Sequence, residues 1–273
     1  MELTKTRRVV PQAIWLHTAP STNAELRALV RVEELPHGTL LATADQTAGR
    51  GRLAREWITP PGTALAVSML VRDFGAAGLS PSWLPLLAGS AVAAALQPLL
   101  PAGARAGVKW PNDVHLRNED DAEAGRVGRK VCGVLCEMLP DGSVIVGAGI
   151  NLLVPEWELP TDRATSVLVA GGDVGAAETV DDPLGEALAD RVLADVAAEL
   201  LRLTALAASH PERARTIVLR HSLTLGSDVR VHLPGGEIVD GRARGLADDG
   251  SLEVDLPTGG RLTGSAGDGE HLR

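Results

Sequence analysis

Two apolar, β-rich runs limit the fold more than any other feature: RKVCGVLCEML (129–139) and GSVIVGAGINLLV (142–154), which meet at Asp141–Gly142. An Asp-Gly pair between such runs favours a tight hairpin, so the two predict neighbouring antiparallel strands. TALAVSMLVR (63–72), TLLATADQ (39–46) and the segment from Ile14 read as further strands, and GVKWPNDVHLR (107–117) as one more. A sheet of this size needs helical cover. The apolar stretch WLPLLAGSAVAAALQPLL, interrupted by Pro85, Gln97 and Pro98, predicts a buried helix from about Ser82 to Leu99. The 3.6-residue pattern of Pro183 to Ser209 predicts a long helix, and a shorter one follows to about His221. A helix also starts at about Thr22, where Thr22 and Glu25 have capping-box spacing and Ala24, Leu26, Leu29 and Val30 form an apolar face.

The texture changes after His221. From Ser222 onward, short β-rich segments alternate with Gly and Asp turns, the pattern of a small β-barrel or SH3-like unit of about fifty residues. The expected organisation is therefore an α/β (α+β) domain over residues 1–221 and a small β domain over 222–273. Two connections read as irregular. NEDDAEAGRVG (118–128) is acidic and contains glycine, as a mobile surface loop would, and PEWELPTDRATS (155–166) is loop-like.

The net charge of −9 argues against a chain that mainly grips a phosphate backbone. The N-terminal residues are charged from the second position, without the apolar core of a secretory signal, so the cytoplasm is the expected compartment and no membrane partner is expected. Two cysteines offer no disulfide framework. Cys132 and Cys136 share a strand face and read as small buried residues, since a metal pair needs further ligands. Amphipathic stripes serve cores as often as interfaces, so no oligomeric state follows from them.

One compositional bias helps to locate function. Of 26 basic residues only Lys5, Lys109 and Lys130 are lysine, and asparagine occurs only at positions 23, 112, 118 and 151. In a chain so biased towards arginine, a retained lysine marks a place where a compact ammonium is needed. Two of the three lysines and two of the four asparagines fall in short motifs. The first motif, QTAGRGRLAREW (46–57), alternates Gly and Arg after a strand; it suits close backbone approach to a carboxylate or phosphate, and equally a solvated turn. The second, KWPND (109–113), gathers a lysine, an aromatic ring, an amide and a carboxylate able to meet magnesium, although Pro-Asn-Asp is also an ordinary turn. Lys130 heads an apolar strand, as a snorkelling surface lysine also does. Asn151 ends GAGIN, where a turn asparagine is the plain alternative. Neither a dinucleotide fingerprint nor a Walker-type loop is present.

Taken in order, STN (21–23), QTAGRGRLAREW, KWPND, KVCGVLCE (130–137) and GAGIN (147–151) resemble the motifs of biotin protein ligases. The resemblance extends from about Ile14 to Arg273. It implies a catalytic domain of the class II aminoacyl-tRNA synthetase type with a mixed sheet, followed by a small C-terminal SH3-like β-barrel. It implies ATP and biotin as substrates, Mg2+ with the ATP, and a biotin carboxyl carrier domain of an acyl-CoA or pyruvate carboxylase as partner. By the same resemblance Ser21, Thr22, Asn23, Gln46, Gly49, Arg50, Gly51, Arg52, Lys130 and Gly133 hold biotin. Arg55, Trp57, Lys109, Trp110, Asn112, Asp113 and Asn151 hold ATP, and Asp113 meets the metal. Lys130, Arg52 and Arg55 are the implied catalytic residues, and the arginine loop is an implied lid that orders over the ligands. Only about thirteen residues precede the first catalytic strand, which leaves no room for the winged helix some members carry, so DNA is not an expected partner. The family's loop usually has a glycine where Ala54 stands, which implies a stiffer lid. Cys132 beside the biotin strand suggests sensitivity to thiol reagents. A lipoate-type ligase, or a non-catalytic biotin or adenylate sensor, are the alternatives.

Overall fold

The computed structural model of the protein describes residues 1–52, 55–75, 78–232, 238–264 and 268–271. Nine strands belong to the larger part of the molecule: β1 (Ala13–Trp15), β2 (Leu40–Thr43), β3 (Gly49–Arg50), β4 (Glu56–Trp57), β5 (Ala64–Val71), β6 (Arg105–Lys109), β7 (Asp113–Arg117), β8 (Arg129–Met138) and β9 (Val144–Asn151). Seven of them form one sheet in the order β1-β2-β5-β9-β8-β7-β6, while β3 and β4 pair separately. Only β1 and β2 run parallel, so the sheet is mixed as expected. The hairpin at Asp141–Gly142 joins β8 to β9, with Gly142 at φ +83°.

GVKWPNDVHLR is two strands rather than one. Trp110–Asn112 turns the chain between β6 and β7, and the Trp110–Pro111 peptide is cis. Proline cannot donate to a ladder and restricts the residue before it, so the strand has to break there.

The described residues also form five α-helices: α1 (Thr22–Val32), α2 (Leu84–Leu96), α3 (Glu119–Glu123), α4 (Pro183–Ser209) and α5 (Pro211–His221). α1 is capped by Ser21 rather than Thr22: the Ser21 hydroxyl accepts from the Ala24 N–H, which releases the Thr22 hydroxyl for other partners. The acidic connection contains α3 instead of being irregular throughout. Asn118 accepts from the Asp121 N–H, and three acidic side chains in the first turn favour the positive end of the helix dipole. α2 has no polar side because it lies between the sheet and α4, with eleven of its thirteen residues buried. At the start of α4, Asp182 accepts from the N–H groups of Thr179, Gly185, Glu178 and Leu184, which lower its pKa to about 2.

Strands β10 (Asp228–His232), β11 (Ile238–Leu246), β12 (Leu252–Asp255), β13 (Arg261–Gly264) and β14 (Asp268–His271) form a separate antiparallel sheet in the order β13-β12-β11-β10-β14. This matches the small β domain read from the tail. Its β11–β12 turn reaches back to the larger part. The indole N–H of Trp83 donates to Asp248 O (2.9 Å), and that of Trp110 donates to Gly250 O (3.1 Å). The Arg215 guanidinium lies over the Trp83 ring and binds Asp248 Oδ1 at 2.9 Å.

Candidate active site

A cavity of about 270 Å³ opens on the α1 side of the sheet. Its floor exists because side chains are missing from it. Gly133 of β8 and Gly149 of β9 are cross-strand partners, and Gly147 lies two residues before Gly149 on the same face. A Cβ on Gly149 would lie 2.5 Å from Cε2 of Trp57, and one on Gly133 would lie 3.2 Å from the same ring and from Lys130 Nζ. A Cβ on Gly147 would collide with the Asn23 amide. The glycines therefore admit the Trp57 ring and the Asn23 amide close to the sheet.

At one end the lining is neutral and polar. Ser21, Thr22, Asn23 and Gln46 meet there, with Gln46 Oε1 accepting from the Thr22 N–H at 2.9 Å. At the other end the lining is charged. Lys130 Nζ pairs with Asp113 Oδ1 at 2.7 Å and lies 5.5 Å from the Trp57 ring centroid, a cation–π contact. Asn112 donates from Nδ2 to Val134 O at 2.7 Å and accepts from Arg52 Nη1 at 3.2 Å, which ties the arginine loop to the KWPND turn. The loop is the β3–β4 hairpin, in which Gly51 N–H donates to Arg55 O and Gly49 pairs with Trp57. Ala54 lies outside the described residues.

A β-bulge puts Lys130 into this site. Val114 pairs with Cys132 but His115 pairs with Lys130, so Val131 is the extra residue. Without it Lys130 and Cys132 would share a face. With it, Cys132 turns into the core, fully buried, while Lys130 faces the cavity. Burial, opposed by the nearby Lys130 charge and reinforced by Asp113, raises the Cys132 pKa, and burial beside Glu137 raises that of Cys136 to about 12. Cys132 is thus buried and held as a thiol, so the structure gives no support to its expected sensitivity to thiol reagents.

Fifteen of the seventeen expected site residues line this cavity: Ser21, Thr22, Asn23, Gln46, Arg50, Gly51, Arg52, Arg55, Trp57, Lys109, Trp110, Asn112, Asp113, Lys130 and Gly133. Gly49 does not; it is buried where Gln46 and the Trp57 backbone leave no space for a side chain. Asn151 does not either. It is 3% exposed and donates to Thr165 O at 2.9 Å, beneath the segment that follows β9. Trp110 lines the cavity with a ring that is 4% exposed and tied by its N–H to Gly250. The sequence reading missed Gly147 and Gly149 as floor residues, although the alternate glycines of GAGIN signal one bare strand face. It also missed Arg163, which joins the lining because Lys130 N–H donates to Arg163 O at 2.8 Å, and nothing in the local sequence marks it.

Mg2+ accompanying ATP needs one or two carboxylates, with phosphate and water oxygens completing its shell. Asp113 is a carboxylate of the cavity wall, where it pairs with Lys130. No group of three or more potential ligands occurs among the described residues.

The pattern of the biotin/lipoate A/B protein ligase family matches residues 15–153, and that of the biotin protein ligase C-terminal domain matches residues 224–271. The chain is 37% identical over 255 residues to the biotin–[acetyl-CoA-carboxylase] ligase of Mycobacterium tuberculosis, covering 93% of this chain and 86% of that one. It is 34% identical over 145 residues to the bifunctional ligase/repressor BirA of Bacillus spizizenii, covering 50% of this chain and 41% of that one. The structure is similar to biotin protein ligase from Aquifex aeolicus in complex with biotin and ATP, with a TM-score of 0.70 and 26% identity, covering 96% and 99% of the two chains. With both of its parts matched and a relative similar along nearly its whole length, the chain belongs to the biotin/lipoate A/B protein ligase family, among the biotin protein ligases.

Proposed function

We propose that this chain activates biotin with ATP in the cytoplasm and transfers it to one lysine of a biotin carboxyl carrier domain. In the first step a biotin carboxylate oxygen attacks the α-phosphorus, the bond to the β-phosphate breaks, and pyrophosphate leaves as biotinyl-5′-AMP forms. In the second, the carrier's lysine amine attacks the acyl carbon, AMP leaves, and the amine's proton passes to solvent. The carrier belongs to an acetyl-CoA carboxylase, the acceptor named for the mycobacterial relative, and carriers of pyruvate carboxylase are a further acceptor class. The same reading divides the chain into a catalytic domain, residues 1–221, and a C-terminal domain, residues 222–273.

The observation that carries this reading is the position of Lys130. On β8, Leu135 reaches the polar end at Asn23, Gly133 lies over the floor, and Lys130 meets Asp113 at the charged end. The ammonium therefore stands at the charged end, suited to phosphates, where it borders the glycine floor that leads to a neutral polar compartment suited to a urea ring. Negative charge that builds between carboxylate and phosphate would meet it there without reorganisation of water. The Trp57 face and the Asp113 carboxylate hold the ammonium in place. Asp113 would also hold the Mg2+ of the nucleotide, which supplies charge neutralisation at the phosphates. Arg52, anchored on Asn112, draws the arginine loop across the cavity as a lid, and Arg55 adds charge at the phosphate end. A closed lid keeps water from the mixed anhydride.

Biotin-dependent pyrophosphate release from ATP tests the proposal. The wild type should release pyrophosphate only with biotin and turn over repeatedly only with a carrier domain. Lys130→Ala should lower release by on the order of 10²–10³-fold, as expected when a preorganised charge is removed. Release independent of biotin, or undiminished in Lys130→Ala, would overturn it.

A further inference from the structure

The polar end of the cavity is wired to a residue outside its lining. Glu137 lies on β8 two positions beyond Leu135, and its carboxylate accepts from Arg27 Nη1 of α1 and from Asn23 Nδ2 at 2.9 Å. Asn23 Nδ2 also donates to Leu135 O at 3.3 Å, so both amide protons are engaged. The amide oxygen then faces Ser68, whose hydroxyl is fully buried and 2.6 Å away.

The direction of the remaining bonds follows from proton counting. A carboxylate and an amide oxygen only accept, and a hydroxyl has a single proton. Ser68 gives its proton to Asn23 Oδ1. Its 2.8 Å contact with Thr22 Oγ1 is then a hydrogen bond only if Thr22 donates. With its proton directed to Ser68, Thr22 Oγ1 keeps lone pairs for the cavity. Gln46 Oε1 accepts from the Thr22 N–H at 2.9 Å and lies 3.3 Å from the Thr22 hydroxyl, farther than Ser68, so the hydroxyl proton goes to Ser68 and Nε2 is left as the Gln46 donor. The cavity end therefore offers an acceptor and a donor side by side, the complement of a cyclic urea with its N–H and C=O.

We infer that Glu137 is a positioning residue for the biotin ring: by holding the Asn23 amide in one orientation, it sets the donor–acceptor polarity of the chain Asn23–Ser68–Thr22. The inference rests on the biotin reading of the site. Glu137 touches no reacting atom. Its contribution is that Asn23 cannot turn over, because the flipped amide would aim its oxygen at a carboxylate.

The test compares binding of biotin with binding of an analogue methylated on the ring nitrogen that faces Thr22, using calorimetry on the full chain. Wild-type protein should discriminate between the two. Glu137→Met, close in length and without an acceptor, frees the amide. It should weaken biotin about tenfold, the scale of one to two hydrogen bonds, while the analogue weakens much less, so that discrimination collapses. In steady state the biotin KM should rise while the ATP KM and the rate at saturating biotin hold. Ser68→Ala breaks the relay one bond later, leaves the Glu137–Arg27 pair intact, and should collapse discrimination in the same way even if Glu137→Met does not fold. Equal weakening of biotin and analogue, or biotin affinity within twofold of wild type in both variants, would overturn the inference. Wild-type protein that binds ATP but no biotin would overturn the site reading and this inference together, and that result appears before any substitution is made.

Discussion

The two faces of the seven-stranded sheet are built on opposite rules. The face under α2 and α4 is filled: Val67, Met69, Val114, Cys132, Val134 and Ile150 belong to one buried core with the apolar sides of both helices. The other face is filled only at the α1 end, by Leu41, Leu70 and Ile145 against Leu26. Further along it is stripped to Ala66, Gly133, Gly147 and Gly149, and the vacated space is the cavity. One sheet thus supplies a rigid core on one side and close backbone approach on the other. The lesson is that the site's precision comes from the packed side, since a bare face holds its shape only if the strands cannot shift.

Substitutions can break this contrast. The largest effect is expected at Gly149. Gly149→Ala places a Cβ 2.5 Å from the Trp57 ring, which must move and take its hold on Lys130 with it. Adenylation should fall on the order of 10²-fold, the scale of an ångström-sized misplacement, with the thermal midpoint little changed. On the opposite side, Leu87→Ala in α2 removes a fully buried side chain and should cost about 2–5 kcal/mol in denaturant unfolding, with the biotin KM retained. If Gly149→Ala lost stability and kept activity, the two faces would not differ in the way described.

A second difference is electrostatic. The cavity face carries a buried imidazole, His115, the cross-strand partner of Lys130. Burial, then the charge of Lys109, lowers its pKa from 6.5 to about 4, against the opposing pull of the Gly128 carbonyl and Asp113. Because the folded pKa lies below the unfolded one, the unfolded chain binds this proton more readily. The contribution to stability is therefore full above about pH 6.5 and declines as pH falls towards about 4, by about 3 kcal/mol in all. His115→Gln, which still donates to Gly128 O, should flatten the measured stability-versus-pH curve over that window. An unchanged curve would show that His115 is not neutral in the fold.

A smaller effect belongs to the packed side. Asp190 of α4, 6% exposed, accepts from the N–H groups of Lys5 and Thr6 and from the Thr6 hydroxyl, and so fastens the N-terminal segment. Asp190→Ala leaves those donors without their acceptor and should cost about 1–3 kcal/mol by chemical denaturation, with biotin affinity unchanged. A loss of biotin affinity on this substitution would mean that the packed side tunes the site as well as supporting it.

The elements and most of the site were legible in the residues themselves. The helices Pro183–Ser209 and Pro211–His221, the β8–β9 hairpin and the change of texture after His221 follow from periodicity and turn chemistry, which are local. Lys130, Asp113, Asn112 and Arg52 were marked by rarity and motif order, and the fold does bring them to one cavity. Two local signals were passed over, and other features depended on partners distant in sequence. The break of β6 from β7 and the helix in the acidic connection were misread because proline chemistry and a single Asn118 cap outweighed the surrounding composition. The face on which Lys130 lies was set by a bulge against β7, since strand alternation alone would have sent it into the core beside Cys132. Asn151 was drawn out of the cavity lining by Thr165, and Arg163 was drawn in by its backbone bond to Lys130. Local sequence determined which elements form, because propensity and turns act over a few residues. Tertiary structure alone decided which way the decisive side chains face, because register and bulges are settled only when strands distant in sequence pair.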